Sequence, residues 1–147
     1  MKLLCLDPGT TQTGLVVLEV PDFRIVTSKI IENDEFRDYI PHVDDIAIEM
    51  IASYGRPVGK EVFETILWIG RMCEYWKIHH GTEAKLIFRR DVKLWLCGTH
   101  MVGDASVRQA LLDKFGPQGT KASPGPLYGV KSHAWSALAV GVCALQI

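Results

Sequence analysis

Three short stretches of this chain carry side chains whose types and positions could do chemistry together. Leu3-Leu4-Cys5-Leu6 is an apolar run that closes on Asp7, and Pro8-Gly9-Thr10 follows at once. Pro8 has no backbone donor and Gly9 accepts unusual dihedrals, so the strand stops there with a carboxylate at its end. Asp45-Ile46-Ala47-Ile48 repeats the pattern and closes on Glu49. The third stretch runs from His133 to Ala139 and sets His133 and Ser136 three residues apart, on one face of a helix of small apolar residues. An acid delivered by a strand end beside a tight turn is a common way to hold a metal ligand on a rigid element. Asp7, Glu49 and His133 converge if the last helix crosses the sheet near the ends of those strands. Taken alone, Asp7 reads equally well as a cap of its own turn.

The elements that must position these groups follow from pattern and punctuation. Residues 3–7, 14–20 and 23–31 read as a three-strand meander with Pro21-Asp22 at its second turn. A short helix is expected at 33–39 and a buried strand at 45–50. A basic, Gly-rich loop around 53–60 leads into a long helix at 61–79, apolar at Val62, Phe63, Ile66, Leu67, Ile69, Met72, Cys73 and Trp76. Phe63, Trp68, Met72 and Trp76 are assigned to the core. A strand at 84–88 and helices at 90–96 and 104–115 come next, the latter stopped by Gly116-Pro117. A Gly-, Pro-, Ser- and Lys-rich loop spans 116–131, and a last helix covers 132–145 with Ser132 as its N-cap. The order predicts a mixed α/β fold: one central sheet with an antiparallel three-strand meander, helices packed on it, and a single domain over 1–147.

Composition bounds the function. The 147 residues are 48% hydrophobic, enough for a substantial core, and no apolar run approaches a membrane span. The N-terminus lacks the order of a signal peptide, so a soluble cytoplasmic protein is expected. With a net charge of −1, any polyanion must be met by local basic patches rather than by a global field. Cys5, Cys73, Cys97 and Cys143 are scattered, and Cys97 with His100 lacks a partner pair. Neither a disulfide framework nor structural zinc is expected.

Taken in order, these motifs resemble the RuvC-type Holliday junction resolvases of the ribonuclease H-like superfamily, most of all their short phage-encoded members. The anchors are Leu4-Cys5-Leu6-Asp7-Pro8-Gly9-Thr10 with Gly14, then Ile46-Ala47-Ile48-Glu49, then Lys131-Ser132-His133-Ala134-Trp135-Ser136-Ala137-Leu138-Ala139. Arg90-Asp91-Val92-Lys93 and Ala105-Ser106-Val107-Arg108 are similar to the family's basic stretch before the final helix. The resemblance implies a ribonuclease H-like fold and a homodimeric, metal-dependent endonuclease that cuts four-way DNA junctions in the cytoplasm, the host's if the protein is phage-encoded. It implies two divalent ions, Mg2+ with Mn2+ as substitute, one activating water and one stabilising the leaving oxygen. Asp7 and Glu49 match metal-ligand positions. His133 matches the first position of the final-helix pair, as a metal ligand or to position the attacking water.

Ser136 stands where the family usually carries an acid, and a hydroxyl is a far weaker ligand than a carboxylate. Asp104 is the acid that could compensate, unless it only caps its helix. For DNA contact the resemblance ranks Arg56, Lys60, Arg90 and Lys93 first, ahead of Arg89, Lys114, Lys121 and Lys131. Tyr54 is positioned to stack on a base, and the 61–79 helix to form the dimer contact. Two other readings stay open: a junction-binding scaffold that has lost catalysis through Ser136, and a same-fold nuclease acting on other branched DNA or on RNA–DNA hybrids. The Asp7-Pro8-Gly9-Thr10-Thr11 turn is also similar to the first phosphate loop of actin-like ATPases. Those close two domains over a nucleotide, and this chain has room for one.

Overall fold

A strand with apolar side chains on both faces needs cover on both sides, and the start of this chain is such a strand. In the computed structural model, which describes residues 1–147, it forms β1 (Lys2–Pro8) at the centre of a five-stranded sheet. β2 (Gln12–Glu19) and β3 (Arg24–Glu32) continue from it as antiparallel neighbours. On its other side β4 (Asp45–Met50) and β5 (Lys85–Phe88) run parallel, giving the order β3-β2-β1-β4-β5. The meander and the mixed α/β sheet are thus both as the sequence predicts.

The period of two along the strands sorts the core into two layers. Leu4, Leu6, Leu15, Val17, Ile46 and Ile48 face the side covered by α1 (Lys60–His80) and by two 3-10 turns, Asn33–Asp38 and Ile40–His42. Leu3, Cys5, Val16, Leu18 and Ala47 face the other side. There α2 (Arg89–Cys97) and α3 (Asp104–Phe115) pack around α4 (Ala134–Leu145), which lies directly on β1 and β2. That close approach needs small residues, since a Cβ on Gly141 would run into the Cys5 sulfur. Alternation then dictates that Asp7 and Glu49, two residues beyond Cys5 and Ala47, emerge on the α4 face.

Two local expectations are corrected. Ser132 is not the N-cap of the last helix: it sits in the left-handed region at φ 50, His133 takes the cap position, and no side chain caps the helix. The short helix expected at 33–39 is present as a 3-10 helix over Asn33–Asp38. On α1 the sheet buries Thr65, Ile69, Met72 and Trp76, a stripe spaced by four, three and four residues. Phe63 falls outside that stripe, is 61% exposed, and does not belong to the core. No helix is long and apolar enough to cross a membrane.

Candidate active site

β1 and β4 pair in parallel with Leu6 opposite Ile48, so Asp7 and Glu49 leave the sheet side by side. Their side chains are only 12% and 11% exposed. The two carboxyls lie within hydrogen-bonding reach of each other. Burial pushes Glu49 up to about 9, and the hydrogen bond and negative charge of Asp7 push the same way, against the opposing pull of Arg89. Burial also raises Asp7, opposed by the Glu49 hydrogen bond and by Arg89. The pair therefore shares a proton at neutral pH, because two adjacent carboxylates out of water cannot both ionise.

The turn that carries Asp7 is tied down from beneath. Gly9 donates its N–H to the Gln12 carbonyl at 2.8 Å, and Asn33 donates its own to Thr11 at 2.9 Å. The Thr13 hydroxyl donates to Asn33 Oδ1 at 2.6 Å, and Asn33 Nδ2 donates to the Gly9 carbonyl at 3.0 Å. Thr13 and Asn33 are both buried, so these bonds are made where water does not compete.

Gly14, paired with Asp7, fixes the third group. A Cβ there would fall on the carbonyl of His133 and 2.9 Å from its Cβ, so only glycine lets the start of α4 rest on β2. His133 Nδ1 then reaches Asp7 Oδ2 at 3.2 Å, while its side chain stays 73% exposed. Ser136 follows one turn later and does not touch Asp7 or Glu49; its hydroxyl lies 3.5 Å from Arg89 Nη1.

Arg89 is the residue that closes the cluster. Phe88 pairs with Met50 at the end of β5, so the next side chain enters α2 beside Glu49. Nη1 donates to Glu49 Oε1 at 3.3 Å, and Nη2 pairs with the Asp104 carboxylate. Asp104 is the first residue of α3 with Gly103 at the cap position, and its side chain makes no capping bond. It is therefore neither a cap nor a direct neighbour of the acid pair; it meets Glu49 only through Arg89.

Beside Glu49 opens a cleft of about 610 Å³, lined by Tyr54, Arg56, Arg89, Arg90, Lys93 and His100 among others. The Arg90 guanidinium lies 5.6 Å from the centre of the Tyr54 ring. Of the four cations ranked first in the sequence, Arg56, Arg90 and Lys93 line this cleft. Lys60 does not: it points along α1 and pairs with Glu64 at 3.5 Å. Two further lining residues, Arg89 and His100, lie outside that first-ranked set. Arg89 follows directly on a strand end, the same signal that marks Asp7 and Glu49. His100 lines the cleft, whereas its sequence context offers only the nearby Cys97 as a partner.

The resemblance implies a divalent ion at these carboxyls. Mg2+ takes one or two carboxylates and keeps several waters, and the adjacent Asp7 and Glu49 carboxyls fit that demand for a single ion, with the His133 ring beside Asp7. The side chains form no enclosed cage, since no three His, Cys, Asp or Glu groups are gathered as a ligand set. Position 136 adds no charge, and Glu49 already carries a guanidinium.

No protein-family model matches this chain, and no curated protein matches its sequence. Solved structures do match its shape. RuvC of T. thermophilus, in complex with a Holliday junction substrate, superposes with a TM-score of 0.71 at 16% identity, covering 97% of this chain and 92% of that one. A further Thermus thermophilus RuvC structure gives 0.64 at 18% identity, covering 99% and 94%. Over nearly its whole length, the chain has the ribonuclease H-like fold in the form seen in RuvC.

Proposed function

We propose that this protein is a divalent-metal-dependent endonuclease that resolves branched DNA, four-way junctions foremost. The observation that carries the reading is the juxtaposition of Asp7, Glu49 and His133 with a cleft lined by Arg56, Arg90 and Lys93. The RuvC structure with a Holliday junction substrate supports the choice of DNA, since the two chains share a fold from end to end. Asp7, Glu49 and His133 would hold the ion, Mg2+ or Mn2+, which supplies Lewis acidity toward the phosphate and lowers the pKa of water.

The chain's own groups do the rest. A cation held by Asp7 and Glu49 would displace the proton they share, so its binding would strengthen as pH rises. With Nδ1 turned to Asp7, His133 has Nε2 free to face solvent, either as a ligand or to take a proton from the attacking water. Arg56, Arg90 and Lys93 neutralise phosphates along the cleft, and the exposed Tyr54 ring offers a face for a base. Phe63, Leu67 and Ile78 leave an apolar stripe on α1 more than 60% exposed, which suits a homodimer. A two-fold dimer presents two clefts to a junction of similar symmetry.

Cleavage of a labelled synthetic four-way junction in Mg2+ and in Mn2+ tests this, with linear duplex and Asp7→Asn as controls. Paired symmetric nicks that need the metal and vanish in Asp7→Asn, with junction binding retained, are expected. Full cleavage by Asp7→Asn removes Asp7 from the chemistry. Ser136 favours a second reading, a scaffold that grips junctions without cutting. Tight binding with no nicks in either metal would establish that reading instead.

A further inference from the structure

Resting on the nuclease reading, we propose that Arg89 is a built-in second cation of this cleft. The site takes one divalent ion on Asp7, Glu49 and His133, and the Arg89 guanidinium supplies the other positive charge against the scissile phosphodiester.

The contacts of Arg89 carry the argument. One guanidinium touches Glu49, Ser136 and Asp104, the three groups besides Asp7 and His133 that a second ion would have to recruit. An ion placed there would meet a fixed positive charge at close range and would have to take the Glu49 or Asp104 carboxylate from it, since Ser136 contributes only a hydroxyl. The three contacts use three of the five guanidinium donors, and the side chain stays 30% exposed, so donors remain for a phosphate oxygen. Held between Glu49 and Asp104, the charge is oriented before substrate arrives, which is the condition for electrostatic stabilisation of a transition state. Arginine suits the task because its planar fork matches phosphate geometry and its charge is permanent.

Ser136 fits the same scheme. An acid at that position would bind the guanidinium in an ion pair and withdraw its donors from substrate. A hydroxyl at 3.5 Å takes one donor in a long, neutral contact and leaves the remaining two available.

The test is the number of Mn2+ ions bound per chain, read by electron paramagnetic resonance and by calorimetry on the intact protein. One ion is expected for the wild type and for Arg89→Lys. Two are expected for the double variant Arg89→Ala with Ser136→Asp, in which the fixed charge is removed and a carboxylate supplied. Two ions in the wild type overturn the inference. Should the double variant not fold, single-turnover cleavage by Arg89→Ala decides: a fall of about 10²- to 10³-fold is expected, with junction affinity changed far less. Cleavage at the wild-type rate overturns it. A protein that cuts junctions but binds two ions refutes this inference alone. One that binds a single ion and cuts nothing refutes the nuclease reading, and the role of Arg89 falls with it.

Discussion

Glu49→Gln should make the metal-free protein more stable at neutral pH while removing its cleavage. In the folded chain Glu49 keeps its proton up to about pH 9, against an ordinary value of 4.5. Unfolding releases that restraint, so between those values the unfolded chain binds fewer protons and is favoured as pH rises. The contribution of Glu49 to wild-type stability is therefore fullest below about pH 4.5 and is lost progressively as pH climbs toward 9. Each pH unit in that window is worth about 1.4 kcal/mol, hence about 3 kcal/mol at pH 7. Glutamine has the same shape, can donate to Asp7 and accept from Arg89, and does not titrate. For a chain of this size about 3 kcal/mol corresponds to a Tm gain of roughly 6 to 12 °C. Thermal unfolding in EDTA at pH 5, 7 and 8 measures it, with a gain of only a few degrees at pH 5. Mg2+ should raise the Tm of the wild type and leave the variant nearly unmoved, because a ligand bound only by the native state stabilises it. A variant no more stable than wild type at pH 7, or one whose advantage is the same at pH 5 and 8, would refute the buried-pair reasoning.

Two further outcomes follow from the surface. Arg90→Ala should weaken junction binding and lower the salt slope by about 0.9, the share of one phosphate contact, whereas Lys60→Ala outside the cleft should leave the slope unchanged. Anisotropy titrations across a salt series check both, and equal effects would mean that DNA does not follow the cleft. Leu67→Asp should convert the expected dimer to a monomer by light scattering and abolish paired nicking. An unchanged mass would remove α1 from the interface.

Much of the site was legible because it obeys strand arithmetic. Asp7 and Glu49 each close an apolar run, and period-two alternation with the parallel pairing of β1 and β4 brings them to one face. Gly14 and His133 were visible as residues but not as neighbours, since their contact depends on how closely α4 settles on β2. Phe63 was misassigned because helical periodicity marks two apolar stripes on α1 and does not say which of them the sheet covers. Ser132 had the side chain of a cap, but the loop enters α4 through a left-handed residue there, which turns the hydroxyl away from that role. Arg89 needed three elements at once: the end of β5, the first residue of α3 and the first turn of α4.

Ser136 gains its meaning from that last arrangement. Read along the chain, it is an acid lost from an acidic cluster, and loss of catalysis is the natural conclusion. In the fold, the group facing it is a guanidinium already joined to Glu49 and Asp104. Negative charge at position 136 would tighten a closed ion-pair cluster, with Arg89 spent on neutralising protein carboxylates. A neutral hydroxyl leaves one carboxyl pair and a histidine for a metal ion and one oriented arginine for the phosphate. The two residues are therefore best understood as a matched pair. Ser136→Asp alone should hinder the site that it superficially repairs, and should help only when Arg89 is removed with it.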